Sequence, residues 1–367
     1  MIIFIIFLNI IYNVTIRKFR FKINIFSFSI ILVIFSLFFP ILSNFDINSI
    51  RYTSQLALFF AGMLLTYITI QKENDFLIWI NAVMIGLFLN ALFGLYESII
   101  WILNNGFVIY SKNEWFRVDG ICVSPADYVM LLIIGAILTP LIKKNYIKIG
   151  AQSLYIVLLI ISMSRSALVV GTFIILLFLS DFKYKKTGII LIIILIIFIF
   201  SYYEPENLLI SRVTDIANTD FNIRRIYAFQ DIINKIFQDA RTLIIGSREG
   251  SYLYYHPIDL EYYDNPHNIF LFIWYQQGII GFIAFLYVLK FLISTTFLRY
   301  KESFFLKNHV LNKLFLSLLV LHLSTWIIGL VESNILGVNA GWLLGSIFGI
   351  VLCPYISIIK RNYRITF

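Results

Sequence analysis

Charge is scarce in this chain. Only 13% of its 367 residues are Asp, Glu, Lys or Arg, against 60% that are hydrophobic, whereas soluble domains carry about a quarter charged residues. An ordinary water-soluble enzyme is excluded on that ground. Cysteine is nearly absent too: Cys122 and Cys353 are too few for a disulfide framework. No G-x-x-x-x-G-K-[ST] loop, H-E-x-x-H pair, Cys/His metal spacing or D-x-D pair occurs. The sequence thus offers no support for an ATP-driven or metal-dependent mechanism, and predicts neither a metal nor another cofactor. The net charge of +9 belongs to membrane topology once its residues are placed, so nucleic acid is not an expected partner.

What the chain has in quantity is apolar length. Runs suited to crossing a bilayer lie near 1–16, 23–42, 50–70, 76–103, 124–142, 146–162, 163–180, 187–203, 267–289, 309–331 and 335–359. They predict an all-α, polytopic integral membrane protein with about 11 transmembrane helices, within a range of roughly 10–12. The first run has no basic leader and no small-residue cleavage site, and reads as a span. Alternate connections gather the positive charge, from Arg17, Lys18, Arg20 and Lys22 to the tail Lys360, Arg361 and Arg364. Together these connections hold 18 basic residues against Glu73, Asp75, Asp181 and Glu302. The positive-inside rule makes them cytoplasmic, with the N-terminus outside and the C-terminus inside.

By topology the chain divides into an N-terminal bundle (1–203, about eight spans), an external loop (204–266) and C-terminal spans (267–367). The loop has 63 residues, six basic and ten acidic, and loops of this length usually have a function. Within it, 222–240 has helical periodicity: Ile226, Phe229, Ile233, Ile236, Phe237 and Ala240 share one face and Arg224, Asp231, Lys235 and Gln238 the other. This reads as a short amphipathic helix over the membrane surface or over the bundle.

Three spans that start outside open with informative residues: Ser124-Pro125, Ser164-Arg165-Ser166, and Asn265-Pro266-His267-Asn268. Helix starts present unpaired N–H groups and partial positive charge, which suit phosphates. A cation in a first turn opposes the helix dipole, yet beside a bound phosphate Arg165 and the dipole act together. The plain alternative is an arginine that snorkels to lipid headgroups. His267, in the first turn of its span, is kept neutral by the helix end and suits a general base; the plain reading is local hydrogen bonding. Arg225 sits about 100° round the helix from Arg224, at the border with Ile232 and Ile236, where it can reach toward a membrane-level site. Arg224, mid-face with Asp231 and Lys235, reads as solvated. Arg117 reads either as an ion pair with Asp119 or Glu114 or as part of the site. Glu97 pairs with an external arginine or serves as a catalytic carboxylate. Tyr252, Tyr254, Tyr255, Tyr262 and Tyr263 form an aromatic belt or offer flat faces to sugar rings.

In order along the chain stand Arg117-x-x-Gly120 before Ser124-Pro125, then Ser164-Arg165-Ser166-Ala167. Arg225-x-x-x-Phe229, Gly246 and Pro266-His267-Asn268 follow, before Gly278-Ile279-Ile280-Gly281. This set resembles the O-antigen ligase and polymerase superfamily of bacterial envelope glycan enzymes, over roughly residues 85–290. Phe229 stands where that family usually has tryptophan, and Asp127 where it often has asparagine.

The resemblance implies a metal-independent glycosyltransferase of the bacterial cytoplasmic membrane, acting on the external face. It implies glycans carried on undecaprenyl pyrophosphate as donor and acceptor. His267, Arg165 and Arg225 map to catalytic roles, and Arg224, Arg117, Asn268, Tyr263 and Glu97 to substrate binding. The lipid bilayer is its setting, and a chain-length regulator and a flippase are its expected partners. The motifs fit two enzymes: a polymerase that joins repeat units into O-antigen, capsule or exopolysaccharide, and a ligase that passes polymer to lipid A-core or another acceptor. The net acidity of the loop favours the polymerase, since a ligase that meets a phosphorylated core calls for positive charge. A non-enzymatic polysaccharide transporter or flippase is the reading from another class. It calls for polar groups along the span interiors, whereas the notable ones here cluster at one face.

Overall fold

Long apolar stretches leave the backbone one way to satisfy its polar groups in lipid, and the described chain is accordingly built mostly from helices. A computed structural model of the protein describes residues 30–36, 47–105, 110–111, 114–115, 120, 122, 125–162, 219–247, 252–256, 261–263, 266–330 and 338–353. In chain order these form α1 (Ile47–Thr69), α2 (Glu73–Asn105), β1 (Tyr110–Ser111), β2 (Glu114–Trp115), α3 (Pro125–Leu138) and α4 (Asn145–Ile161). Then come α5 (Thr219–Gln238), α6 (Ala240–Ile244), β3 (Tyr254–His256), β4 (Glu261–Tyr263), α7 (Ile269–Phe305), α8 (His309–Gly329) and α9 (Val338–Gly349). Residues 30–36 are also helical, and the strands form two short antiparallel hairpins, β1–β2 and β3–β4.

Among the described residues, three helices are long and apolar enough to cross a membrane: Asn74–Asn104 within α2, α7, and α8. Shorter apolar helices are Thr53–Thr69, Asp127–Leu141 and Ala340–Leu352. The expected spans at 1–16, 163–180 and 187–203 lie outside the described residues. Along α2, Ile78, Ile85, Leu89, Tyr96 and Leu103 are exposed, and their spacing puts them on one stripe of the helix. In water such a stripe is costly; against acyl chains it is matched.

The span expected at 267–289 needs correction. α7 is 37 residues long, about 55 Å at 1.5 Å per residue, too long for a hydrocarbon core of roughly 30 Å. It is two helices joined at Gly278, whose φ of 64° and ψ of −177° are not helical and belong to a region populated essentially by glycine. Residues 269–277 form a short leg and 279–305 the membrane-length one.

The chain packs as two compact units. One takes the described residues of 1–81, 227–319 and 329–366, the other those of 82–226 and 320–328. This division follows packing, whereas that into 1–203, 204–266 and 267–367 follows topology. In the first unit α9 lies along α1 at a distance set by small residues. A Cβ on Gly345 would run into the Phe59 carbonyl oxygen, and one on Gly349 would stand 2.5 Å from that of Met63. Phe59 and Phe348 fill the flank edge to face, centroids 6.1 Å apart. Small residues that let backbones meet are how helices associate in lipid, where no hydrophobic force drives them together. In the second unit α3 packs on α4, and Gly135 accepts the Tyr155 ring against its backbone.

Gly345→Ala should therefore force the two helices apart, at about 1–3 kcal/mol for overpacking. Gly86→Ala, where an added Cβ meets nothing within 4 Å, should be neutral or stabilising by up to ~1 kcal/mol. Thermal unfolding of the two variants in detergent separates these outcomes; equal shifts would contradict the close approach.

Candidate functional site

The loop helix is real, and only one edge of its apolar face is packed against the protein. α5 ends at Gln238 because Asp239 takes extended geometry and caps α6, its carboxylate accepting from the amides of Arg241 and Thr242 at 3.2 and 3.3 Å. The edge of α5 that is buried is Ala228, Ile232 and Ile236, set against Tyr252, Tyr254, Phe272 and Tyr275. Ile226, Ile233 and Phe237, which the periodicity puts on the apolar face, are exposed. The apolar arc of α5 is about half the circumference wide, and the tyrosines of the following chain select one side of it. Asp231 and Lys235, expected in solvent, flank the packed edge. The Tyr252 hydroxyl donates to Asp231 Oδ2 (3.0 Å) and the Ala228 carbonyl (2.9 Å). Lys235 Nζ pairs with Asp231 at 3.2 Å, donates to the Leu253 carbonyl and lies 5.1 Å from the Tyr252 ring centre.

The five loop tyrosines thus divide. Tyr252 and Tyr254 are core, their rings stacked at 5.6 Å. Tyr255 and Tyr262 are exposed, with ring centres 5.1 Å apart, and present the aromatic surface that the sequence offered to a sugar. Tyr263 pairs with Tyr254 through the β3–β4 backbone, and its side chain lies outside the described residues.

Past this core the loop is clasped onto α7. α6 packs at the Gly278 kink, and a Cβ on Gly278 would strike the backbone of Ile244 and Ile245. Gly246, at φ +110°, lies equally close to the Gln276 carbonyl. The Ser247 amide donates to the Tyr275 carbonyl at 2.7 Å. Two glycines therefore bring two backbones into direct apposition. Gly246 and Gly278 both belong to the motif pattern, but nothing in their spacing shows that they face each other.

His267 is half-buried and lies just before the helix, not in its first turn. Asn268 is the N-cap of α7, its Oδ1 accepting from the Phe270 and Leu271 amides at 3.0 Å each, while its Nδ2 donates to the Leu330 carbonyl at 3.2 Å. The capping side chain needs extended backbone at 268, which places the helix start at Ile269. His267 then turns the chain with a left-handed φ of 52°, uncommon for a residue with a Cβ and worth a functional explanation. Two amides of this helix end are thus occupied by Asn268.

In the second unit Glu97 is half-buried and its Oε2 accepts the Gly120 N–H at 2.9 Å. Gly120, at φ +59°, leaves no room for a Cβ beside the Tyr128 ring. The carboxylate thus holds the turn that follows Arg117. Arg225 is half-buried on α5, on the helical line of Ile232 and Ile236 as its spacing requires. Arg117 and Arg165, and the side chain of Arg224, lie outside the described residues.

Residues 150–286 match the family model described as O-antigen ligase. No curated protein matches the chain. The motif resemblance to the O-antigen ligase and polymerase superfamily is therefore carried by a stretch holding Arg165, Arg224, Arg225, Tyr263, His267 and Asn268. The stretch begins after Glu97 and Arg117. It also holds α5, α6, the clasp and the Gly278 kink, so the family match and the loop scaffold coincide.

Burial holds the Tyr252 phenol above its ordinary pKa, and the negative charge of Asp231 adds to the shift. The folded chain binds this proton more tightly than the unfolded one. Its contribution is whole below the ordinary tyrosine pKa and is lost as pH rises past it. Detergent-solubilised protein should lose stability above about pH 10, and Tyr252→Phe should lose less of it there while costing about 1 kcal/mol at neutral pH. An unchanged alkaline profile in that variant would remove Tyr252 from this account.

Proposed function

We propose that the protein is a membrane glycosyltransferase that polymerises oligosaccharide repeat units carried on undecaprenyl pyrophosphate, outside the cytoplasmic membrane. The observation that carries this reading is the family match over 150–286, the stretch that contains all three residues assigned to the chemistry. The apolar helices support the setting in a bilayer, and the family supports lipid-linked glycans as substrates.

In this reading an acceptor sugar hydroxyl attacks the anomeric carbon of the donor glycan. A new glycosidic C–O bond forms as the bond from that carbon to the pyrophosphate oxygen breaks. His267 takes the hydroxyl proton, and the leaving group departs as undecaprenyl pyrophosphate. Arg165 and Arg225 neutralise the charge that builds on it, the kind of stabilisation that usually contributes most to catalysis. Arg224, Arg117, Tyr263 and Glu97 bind substrate, and Asn268 serves the site by fixing the chain around His267. The energy comes from the glycosyl–phosphate bond, so neither nucleotide nor metal is required.

The ligase is the second reading, favoured by the description of the matched family. The acidic loop favours the polymerase, as a phosphorylated acceptor would be repelled there. Purified protein given lipid-linked repeat units in EDTA without nucleotide should lengthen them; a ligase would not. Arg165→Ala, Arg225→Ala and His267→Ala should each abolish long-chain glycan with membrane insertion intact, while Arg51→Ala and Lys112→Ala retain it. Normal glycan ladders from all three site variants would overturn the assignment.

A further inference from the structure

α5 carries two apolar stripes, and the protein uses one. Successive residues advance 100°, so Ala228, Ile232 and Ile236 occupy one edge and Phe229, Ile233, Ile226 and Phe237 the adjoining one. The first edge is fully covered by the loop tyrosines and α7. On the second, Ile233 is 41% and Phe237 61% exposed. Beyond it the surface turns polar with Gln230 and Asn234, both exposed. In an aqueous loop a row of isoleucine and phenylalanine beside an already packed edge has no stabilising purpose.

The row does not end on α5. Phe237 meets Trp274 edge to face, centroids 5.7 Å apart, and Trp274 stacks on Phe282 at 5.5 Å with the rings 5° from parallel. Phe282 lies past the Gly278 kink on the membrane-length leg of α7, and its neighbours Ile280 and Ile283 are 46% and 59% exposed. An unbroken apolar surface therefore runs from the lipid-facing flank of a spanning helix, across a tryptophan, onto the loop helix. Tryptophan is the residue that favours the boundary between acyl chains and headgroups.

We propose that the Ile233–Phe237 edge of α5 is seated in the adjacent leaflet of the bilayer, with acyl chains as its partner. α5 is then an interfacial helix held from two sides, by the Tyr252 core on one edge and by lipid on the next. Burial in lipid costs nothing in specificity and removes the exposed apolar row. It also sets the helix that bears Arg225 at the depth of lipid phosphates, a consequence that rests on the proposed function, although the seating itself does not.

The full-length protein in nanodiscs of phosphatidylethanolamine and phosphatidylglycerol provides the test. Nitroxide labels are placed singly through Ile233→Cys, Phe237→Cys, Asn234→Cys and Gln238→Cys in a Cys122→Ala/Cys353→Ala background. Size-exclusion elution identical to the parent shows that each labelled protein is folded. At 233 and 237, collisions with a water-soluble nickel chelate should fall severalfold below those at 234 and 238, and collisions with oxygen should rise. Nickel access at 233 and 237 equal to that at 234 would place the edge in water and overturn the proposal. Exclusion of both reagents would also overturn it, by showing another protein surface on that edge. No glycan or activity enters the measurement, so its failure leaves the glycosyltransferase reading standing, and loss of that reading leaves the seating intact.

Discussion

The apposition of two backbones at Gly246 and Gly278 is the constraint on which the loop depends. A Cβ at either position would occupy the space of the other segment's peptide, and both residues hold positive φ. Without the approach α6 has no seat on α7, and the kink itself loses the only residue type that tolerates its backbone angles. The kink in turn releases residues 269–277 from the direction of the spanning leg, so that Phe272 and Tyr275 face the loop core instead of lipid. One pair of glycines thereby converts what the sequence presents as a single long apolar run into a span plus a docking platform.

On that platform the loop is organised by tyrosine more than by aliphatic residues. Tyr252 is fully buried yet spends its hydroxyl on Asp231 and the Ala228 carbonyl. Asp231 in turn holds Lys235, and Lys235 reaches the Leu253 carbonyl. A buried hydroxyl without such a partner would cost about 1–3 kcal/mol. The network therefore fixes the rotation of α5 as well as its stability, because turning the helix by one residue would leave Tyr252 and Asp231 unmatched. This rotation is what leaves Ile233 and Phe237 outward.

The parts legible in the sequence were those set by composition and period. Runs near 50–70, 76–103, 146–162 and 309–331 correspond to α1, α2, α4 and α8 within a few residues, since an apolar stretch in lipid has no competing structure. Arg225 fell on the line of Ile232 and Ile236 by helical arithmetic alone. What periodicity could not give was the choice between two adjacent edges of a wide apolar arc, because that choice lies in Tyr252 and Tyr275, distant in sequence. The break in α7 was hidden for a similar reason: Gly278 is a tolerated residue in any spanning helix, and only the apposed Ile244 backbone requires it to leave helical geometry. The apolar run opens at 267 and so draws His267 into the first turn, whereas the Asn268 cap starts the helix two residues later, at Ile269.

That cap alters where the proposed chemistry must find its positive charge. A free helix end would offer a diphosphate several amides at once, but Asn268 occupies those of Phe270 and Leu271 and anchors itself to the Leu330 carbonyl. In the proposed site the start of α7 then serves to hold the turn at His267. In the proposed reaction the charge of the leaving group then falls to side chains, to Arg165 and Arg225. Guanidinium groups suit that task, since each presents a planar fork of donors matched to phosphate oxygens. The division assigns the arginines to the leaving group and the capped helix to the base.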